Sequence, residues 1–252
     1  LLALNTPKHR RGWYAMLGQL GAPVGFIVAA ALFAYLYSSL SDADFYAWGW
    51  RYPFFAAMAI NVVALFARLR LVVTHEYEQE MGRQQLEPVP VAELLREKAA
   101  TAASRLVAKG VPVVIGAFAA LAGYAMFHIG TIGPISWILL YSDQPIADFL
   151  VVQVGGGFLA IAGVLASGVI ADRFGRVPTL GAMALAIAVF SGFAPALLGG
   201  DALAKNVYIL VGFLLLGLSY GQSSGALTRN FGPRYRYTGA ALTSGLAWLI
   251  GA

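Results

Sequence analysis

Residues 167–176 read SGVIADRFGR, and they close a run, residues 149–171, that carries no charged side chain. An acid and two bases, Asp172, Arg173 and Arg176, then arrive within five positions, and a second apolar run starts at Pro178. About 20 apolar residues in a helix cross the hydrocarbon core of a bilayer. The charged decade therefore reads as a short loop between two membrane-spanning helices.

The rest of the chain follows the same pattern. Of 252 residues, 59% are hydrophobic and 12% charged, against about 25% charged in soluble domains. The mean hydropathy is +0.71. Seven apolar segments can be marked: residues 12–40, 53–73, 111–141, 146–171, 178–198, 207–228 and 239–252. The last is too short to span. Backbone groups in lipid must bond within their own segment, which favours helices. A barrel needs alternating strands, and GVLASGVIA does not alternate. The fold class expected is all-α, a polytopic membrane protein. There are no cysteines, so disulfides and cysteine-based zinc sites are excluded.

Both ends are expected to be cuts in a longer protein. LLALNTPKHRRG lacks an initiator Met and places its basic cluster after its apolar residues, the reverse of a signal peptide. The chain stops inside the apolar run GAALTSGLAWLIGA.

Lys and Arg give the orientation. The successive loops, from the N-terminus, carry three, one, seven, none, two, one and three. Alternate loops thus hold fifteen on one side and two on the other. Excess positive charge marks the cytoplasmic face, so residues 1–11 and the loop 74–110 are assigned there. A wrong segment count would scramble the alternation. The net charge of +5 is explained by these loops, and no nucleic-acid partner is expected. Within the long loop, PVAELLREKAATAASRL has helical spacing after a proline start. An amphipathic cytoplasmic helix and a solvated linker both fit it.

Glycine is abundant, at 29 residues. VGGGFLAIAG and GLSYGQSSG resemble the small-residue faces on which membrane helices pack. A faint repeat joins the first basic loop to the last. PKHRRGWYAMLGQLGAP starts at Pro7 and PRYRYTGAALTSGLAWLIGA at Pro233, each with glycines six apart, Gly12 to Gly18 and Gly239 to Gly245. Six segments separate them, as in a duplicated six-helix unit.

Within the opening stretch, Gly168, Asp172, Arg173, Gly175 and Arg176 spell G-x-x-x-D-R-x-G-R. Gly168 permits close helix contact, and Gly175 a tight turn or a positive φ. Asp172 and Arg176 are four apart and can pair. Asp172 can equally serve the positive N-terminal end of a neighbouring helix. An ordinary turn with two basic anchors fits the spacing as well.

This pattern resembles the loop signature of the major facilitator superfamily, transporters of twelve helices in two six-helix halves. The resemblance makes segments four and five helices eight and nine. Segment one becomes helix five, and the long loop the central one. Helices one to four and twelve would then lie outside the chain, with eleven incomplete. Residues 1–73 would end the N-terminal half, 74–110 form the central loop, and 111–252 belong to the C-terminal half. PKHRRGWYAMLGQLGAPVG, WGWRYPFFAAMAINVVALFARLRL and RYRYTGAALTSGLAWLIGA further resemble the metabolite:proton symporters, which carry proline or betaine, shikimate, 2-oxoglutarate, citrate and other dicarboxylates. VVTHEYEQ departs from the Pro-Glu-Ser/Thr-Pro of many relatives.

The resemblance implies symport of a small organic acid or zwitterion with protons, by alternating access, in a bacterial inner membrane. It implies no cofactor, the proton gradient being the coupling source. A monomer is expected. The motif would belong to the cytoplasmic gate, with Asp172 near Arg11, Gly12, Trp13 and Tyr14 when that side is closed.

Ionisable groups at membrane depth are functional candidates. His128 is one, with Tyr124 four residues before it on the same face. Gly130, Gly133 and Pro134 follow and are expected to break the helix and expose backbone to a cavity. Gln19 and Gln222 are neutral candidates for substrate contact, with Asn61 and Gln153 behind them; interhelical bonds fit all four. Asp143 and Asp148 sit at outer ends. Similar symporters place coupling acids on helix one. Other readings are another major facilitator subfamily such as a sugar porter, or a seven-helix receptor. No H-E-x-x-H and no cluster of acids at membrane depth suggests an enzyme or a metal site.

Overall fold

The computed structural model describes residues 10–71, 125–141, 144–223 and 236–251. Among these, every regular element is helical. The helices are α1 (Arg11–Leu17), α2 (Gly21–Ser39), α3 (Asp42–Ala47), α4 (Tyr52–Leu71), α5 (Ala125–Tyr141), α6 (Ile146–Phe174), α7 (Arg176–Gly192), α8 (Ala194–Leu198), α9 (Ala202–Tyr220) and α10 (Arg236–Gly251). Four stretches are long and apolar enough to cross a membrane: Gly12–Ser39, Gly49–Ala67, Ile146–Phe174 and Ala202–Tyr220. The possible amphipathic helix of the long loop lies outside the described residues.

The apolar segments and the helices differ at their edges, for physical reasons. Segment one is not one smooth helix. Between α1 and α2 the backbone stays right-handed at Gly18 and Leu20 but tightens. Gln19 N–H donates to the Met16 carbonyl at 2.9 Å, and Leu20 N–H to that of Leu17 at 3.4 Å. These are the i→i+3 bonds of a 3-10 turn. Segment four continues through Asp172 and Arg173 to Phe174, so the charged stretch is mostly the last turn of α6. Only Gly175 lies between α6 and α7. The loop after α2 holds a short helix, α3, whose N-cap Ser41 accepts from Asp44 N–H at 3.2 Å. Segment five divides at Phe193 into α7 and α8.

The expected helix break at Gly130, Gly133 and Pro134 is absent: α5 runs unbroken from Ala125 to Tyr141. Proline disfavours a helical predecessor because its ring meets that residue's Cβ and N–H. Gly133 has no Cβ, which removes part of the conflict. Gly130 has open space around it.

α6 is the hub. Its buried residues, Phe149, Gln153, Gly156, Gly157, Ala160, Gly163, Val164, Ser167, Gly168 and Ala171 among them, recur every three or four positions and are mostly small. Between apolar helices in lipid there is little hydrophobic drive, so small residues that bring backbones together do the joining. A Cβ on Gly163 would sit 2.5 Å from the Leu214 carbonyl oxygen. One on Gly217 would overlap the Ala160 carbonyl. α6 and α9 therefore touch backbone to backbone. On its other flank α6 packs on α1 and α2, and a layer of Phe26, Phe127 and Phe213 fills the middle, with ring centroids 6.1 and 5.1 Å from Phe26.

The two ends differ in chemistry. At one, Trp48 pairs with Tyr52 and Trp137 with Tyr141, and the Trp137 indole N–H donates to the Leu198 carbonyl at 3.2 Å. Arg10, Arg173 and Arg176 gather at the other. Aromatic residues favour membrane interfaces, while basic ones favour the cytoplasmic side.

Candidate functional site at the basic end

At the basic end α6 meets the start of α1. Gly12 N–H donates to Asp172 Oδ1 at 2.6 Å, and Trp13 N–H to Asp172 Oδ2 at 3.1 Å. The first N–H groups of a helix have no partner within it. Arg10, at the N-cap of α1, makes no side-chain capping bond. Asp172 provides the cap from a different helix, and its negative charge faces the positive end of the helix dipole.

Two glycines make the approach possible. A Cβ on Gly12 would lie 2.8 Å from Asp172 Oδ1 and 2.9 Å from the Gly168 carbonyl oxygen. A Cβ on Gly168 would lie 2.9 Å from Met16 Cγ and 3.1 Å from Trp13 Cα. Gly12, Trp13, Gly168 and Asp172 are thus brought together. Arg11 is the first residue of α1, and its side chain lies outside the described ones.

Gly175 has φ 88° and ψ 151°, a region essentially closed to residues with a Cβ. It ends α6 and lets α7 start at once. Because the helix breaks there, the four-residue spacing between Asp172 and Arg176 is not a helical one. The pairing open on sequence grounds is replaced by separate partners. Asp172 faces α1, while Arg176 Nε–H donates to Gln222 Oε1 at 3.3 Å. Arg173, exposed, lies over the Phe174 ring at 5.5 Å.

Gln222 is fully buried at this same end. Its Nε2 donates to the Gly12 carbonyl at 3.3 Å and to Ser167 Oγ at 3.2 Å. Gln19, in the tight turn after α1, donates to Ser223 Oγ at 3.1 Å. Both glutamines considered for substrate contact hold protein partners in this structure. Sequence reasoning missed Ser167, Gly221 and Ser223. The signal for Gly221 and Ser223 was present in GLSYGQSSG and that for Ser167 in SGVIADRFGR, stretches that show a packing face but not what the face meets.

The remaining candidates lie apart. His128 is half-buried on α5, edge-on to Phe127 at 5.9 Å between ring centroids. Tyr124 and Asp143 lie outside the described residues. Gln153 is buried and donates to the Thr131 carbonyl at 2.8 Å, tying α6 to α5. Asn61 is exposed and donates to Ala57 on its own helix at 2.9 Å. Asp148 is exposed and lines an open cleft with Gln144, Lys205 and Asn206 at the far end from Asp172.

Comparison with known proteins agrees with this architecture. The chain is 28% identical over 98% of its length to the inner membrane metabolite transport protein YhjE of Escherichia coli K12, covering 55% of that protein. It is 26% identical over 99% of its length to the proline/betaine transporter of the same organism, covering 50% of it. To the shikimate transporter the figures are 25%, 98% and 55%. The chain spans about half the length of the curated relatives it matches. No solved structure matches it. The family model described as Major Facilitator Superfamily matches residues 1–252, and with helices as the regular elements among the described residues and a G-x-x-x-D-R-x-G-R turn joining two of them, the chain belongs to the major facilitator superfamily.

Proposed function

We propose that the protein of which these residues are part is a secondary active transporter of the bacterial inner membrane. It moves a small organic acid or zwitterionic metabolite together with protons, by alternating access. Relatives named as metabolite, proline/betaine and shikimate transporters support the substrate class. The fifteen-to-two division of Lys and Arg supports a cytoplasmic position for residues 1–11 and 74–110.

The observation that carries the reading is the capping of α1 by Asp172. In this reading α1 and α2 are helix five of one half, and α6 is helix eight of the other. A carboxylate on one half then holds a helix end on the other through two backbone hydrogen bonds. Such a contact forms when the cytoplasmic side is shut and parts when it opens. The residues Gly168, Asp172, Arg173, Gly175 and Arg176, with Arg11, Gly12 and Trp13 opposite, form a gate and not a substrate site.

Uptake by the full-length protein in proteoliposomes tests this. Labelled proline, betaine, shikimate, 2-oxoglutarate and citrate are offered with and without an imposed inward proton gradient. At least one is expected to accumulate only with the gradient, and a protonophore should abolish the accumulation. If none accumulates in folded, correctly inserted protein, the symport reading fails.

A further inference from the structure

The second hydrogen-bonded junction at the basic end has a different chemistry from the Asp172 cap. Gln222 follows the last turn of α9 and is completely enclosed. Its amide touches three other helices. It donates to the Gly12 carbonyl of α1 and to Ser167 of α6, and it accepts from Arg176 at the start of α7. A guanidinium can only donate. That fixes Oε1 toward Arg176 and directs Nε2 to the two oxygens. Ser167 in turn donates to the Val164 carbonyl at 2.7 Å, so its oxygen is free to accept from the amide.

The backbone is shaped to put the amide there. Gly221 packs so closely that a Cβ on it would overlap Ser167 Oγ and lie 3.2 Å from Val164 Cα. Only glycine lets the end of α9 descend onto α6 at this point. Ser223, the residue after Gln222, accepts from Gln19. Two consecutive residues at the end of α9 therefore grip the α1–α2 segment. Gly12 is held on both sides of its Cα: Asp172 takes its N–H and Gln222 reaches its carbonyl.

We propose that Gln222 is a positioning residue of the closed cytoplasmic end, an uncharged latch that binds α1 to α6, α7 and α9 alongside the charged Asp172 cap. This rests on the alternating-access reading above. The side chain must be an amide. A carboxylate would accept from Arg176 but present an acceptor to the Gly12 carbonyl. A thioether of the same length would leave both Arg176 and the carbonyl without this partner. A buried polar group stripped of its partner is costly, so either change disfavours the closed arrangement relative to the open one, where water reaches these groups.

The experiment uses the full-length transporter with a reporter thiol from Met16→Cys. Met16, on α1, is fully buried against Gly168 of α6, and a thiol in its place becomes reactive when α1 leaves α6. Residues 1–252 hold no cysteine, and any elsewhere in the protein are replaced. Labelling by a membrane-impermeant maleimide is timed in inside-out vesicles. Gln222→Met and Gln222→Glu are each expected to speed labelling roughly fivefold, the factor associated with one lost hydrogen bond. Gln222→Glu carries the test by itself if Gln222→Met fails to reach the membrane. Asp172→Asn is run in parallel. If Asp172→Asn speeds labelling and neither Gln222 variant does, the gate stands and the role of Gln222 is overturned. If none of the three does, the gate reading itself fails, and the latch with it.

Discussion

The carboxylate of Asp172 lies 2.6 Å from the backbone nitrogen of Gly12, a residue 160 positions earlier in the chain. A helix is thus capped by a residue outside its own segment. The cap is local when α1 and α6 are in contact and does not exist when they separate. A capping interaction of this kind reports, and biases, the relative position of two helices.

Neutralising the cap is expected to bias that position without touching the substrate. Asp172→Asn keeps an oxygen acceptor but removes the charge at the helix end, worth about 0.3–1 kcal/mol. The closed-to-open ratio at the cytoplasmic side should fall roughly two- to fivefold. Maximal uptake rate should drop while apparent substrate affinity stays within about twofold. Uptake kinetics at matched protein levels check both. Unchanged uptake would remove Asp172 from the gate.

Filling the crossing point should have a larger effect. Gly168→Val places its side chain against Met16 and the Trp13 backbone, and overpacking costs typically 1–3 kcal/mol. The variant is expected to insert and fold but to fail to close. Accessibility of the Met16→Cys thiol should then match that of an open protein. A Gly168→Val protein as protected as the parent would show that α1 and α6 need not meet.

Gly175 should be intolerant for a separate reason. Its φ of 88° with ψ of 151° is reached by other residues only at about 1–3 kcal/mol of strain. Gly175→Ala is expected to lower the midpoint of thermal unfolding in detergent by a few degrees. An unchanged midpoint would mean that the α6–α7 junction adopts another backbone path.

Gly217 sets two familiar effects against each other. Replacing glycine by alanine within a helix gains up to about 1 kcal/mol of helix propensity. Here the new methyl overlaps the Ala160 carbonyl, a backbone atom that cannot rotate away, and the clash outweighs the gain. Gly217→Ala is expected to reduce thermal stability and yield. A stabilised variant would contradict the backbone contact between α6 and α9.

The long apolar runs were legible because span length is a property of sequence alone. Helix ends were less so. A hydropathy run stops at Asp172, but backbone hydrogen bonding does not, and α6 continues to Phe174. The split after Leu17 was hidden because a 3-10 tightening changes no hydrophobic pattern. α3 could have been found. Ser41 and Asp44 form a capping pair at the spacing S-x-x-D, with Ser41 Oγ donating to Asp44 Oδ2 at 2.7 Å. Membership of the superfamily sets aside the seven-helix receptor reading. The candidate site was legible in Gly168, Asp172 and Gly175, whose spacing already suggested a helix-end contact. Gln222 was not, because a glutamine in an apolar run looks the same whether it faces substrate or three neighbouring helices.

The length of α6 has a mechanical consequence. A rod of 29 residues is about 44 Å long at 1.5 Å per residue. Tilting it by about 5° about its midpoint carries each tip through about 2 Å, beyond the reach of a bond that starts at 2.6 Å. Hydrogen bonds weaken steeply with distance, so the contact at the tip behaves as a switch with few intermediate settings. Because α9 is seated backbone to backbone along the shaft, a tilt of α6 would carry α9 with it, so that under the proposed gating a small rotation at mid-depth becomes an all-or-none event at the basic surface.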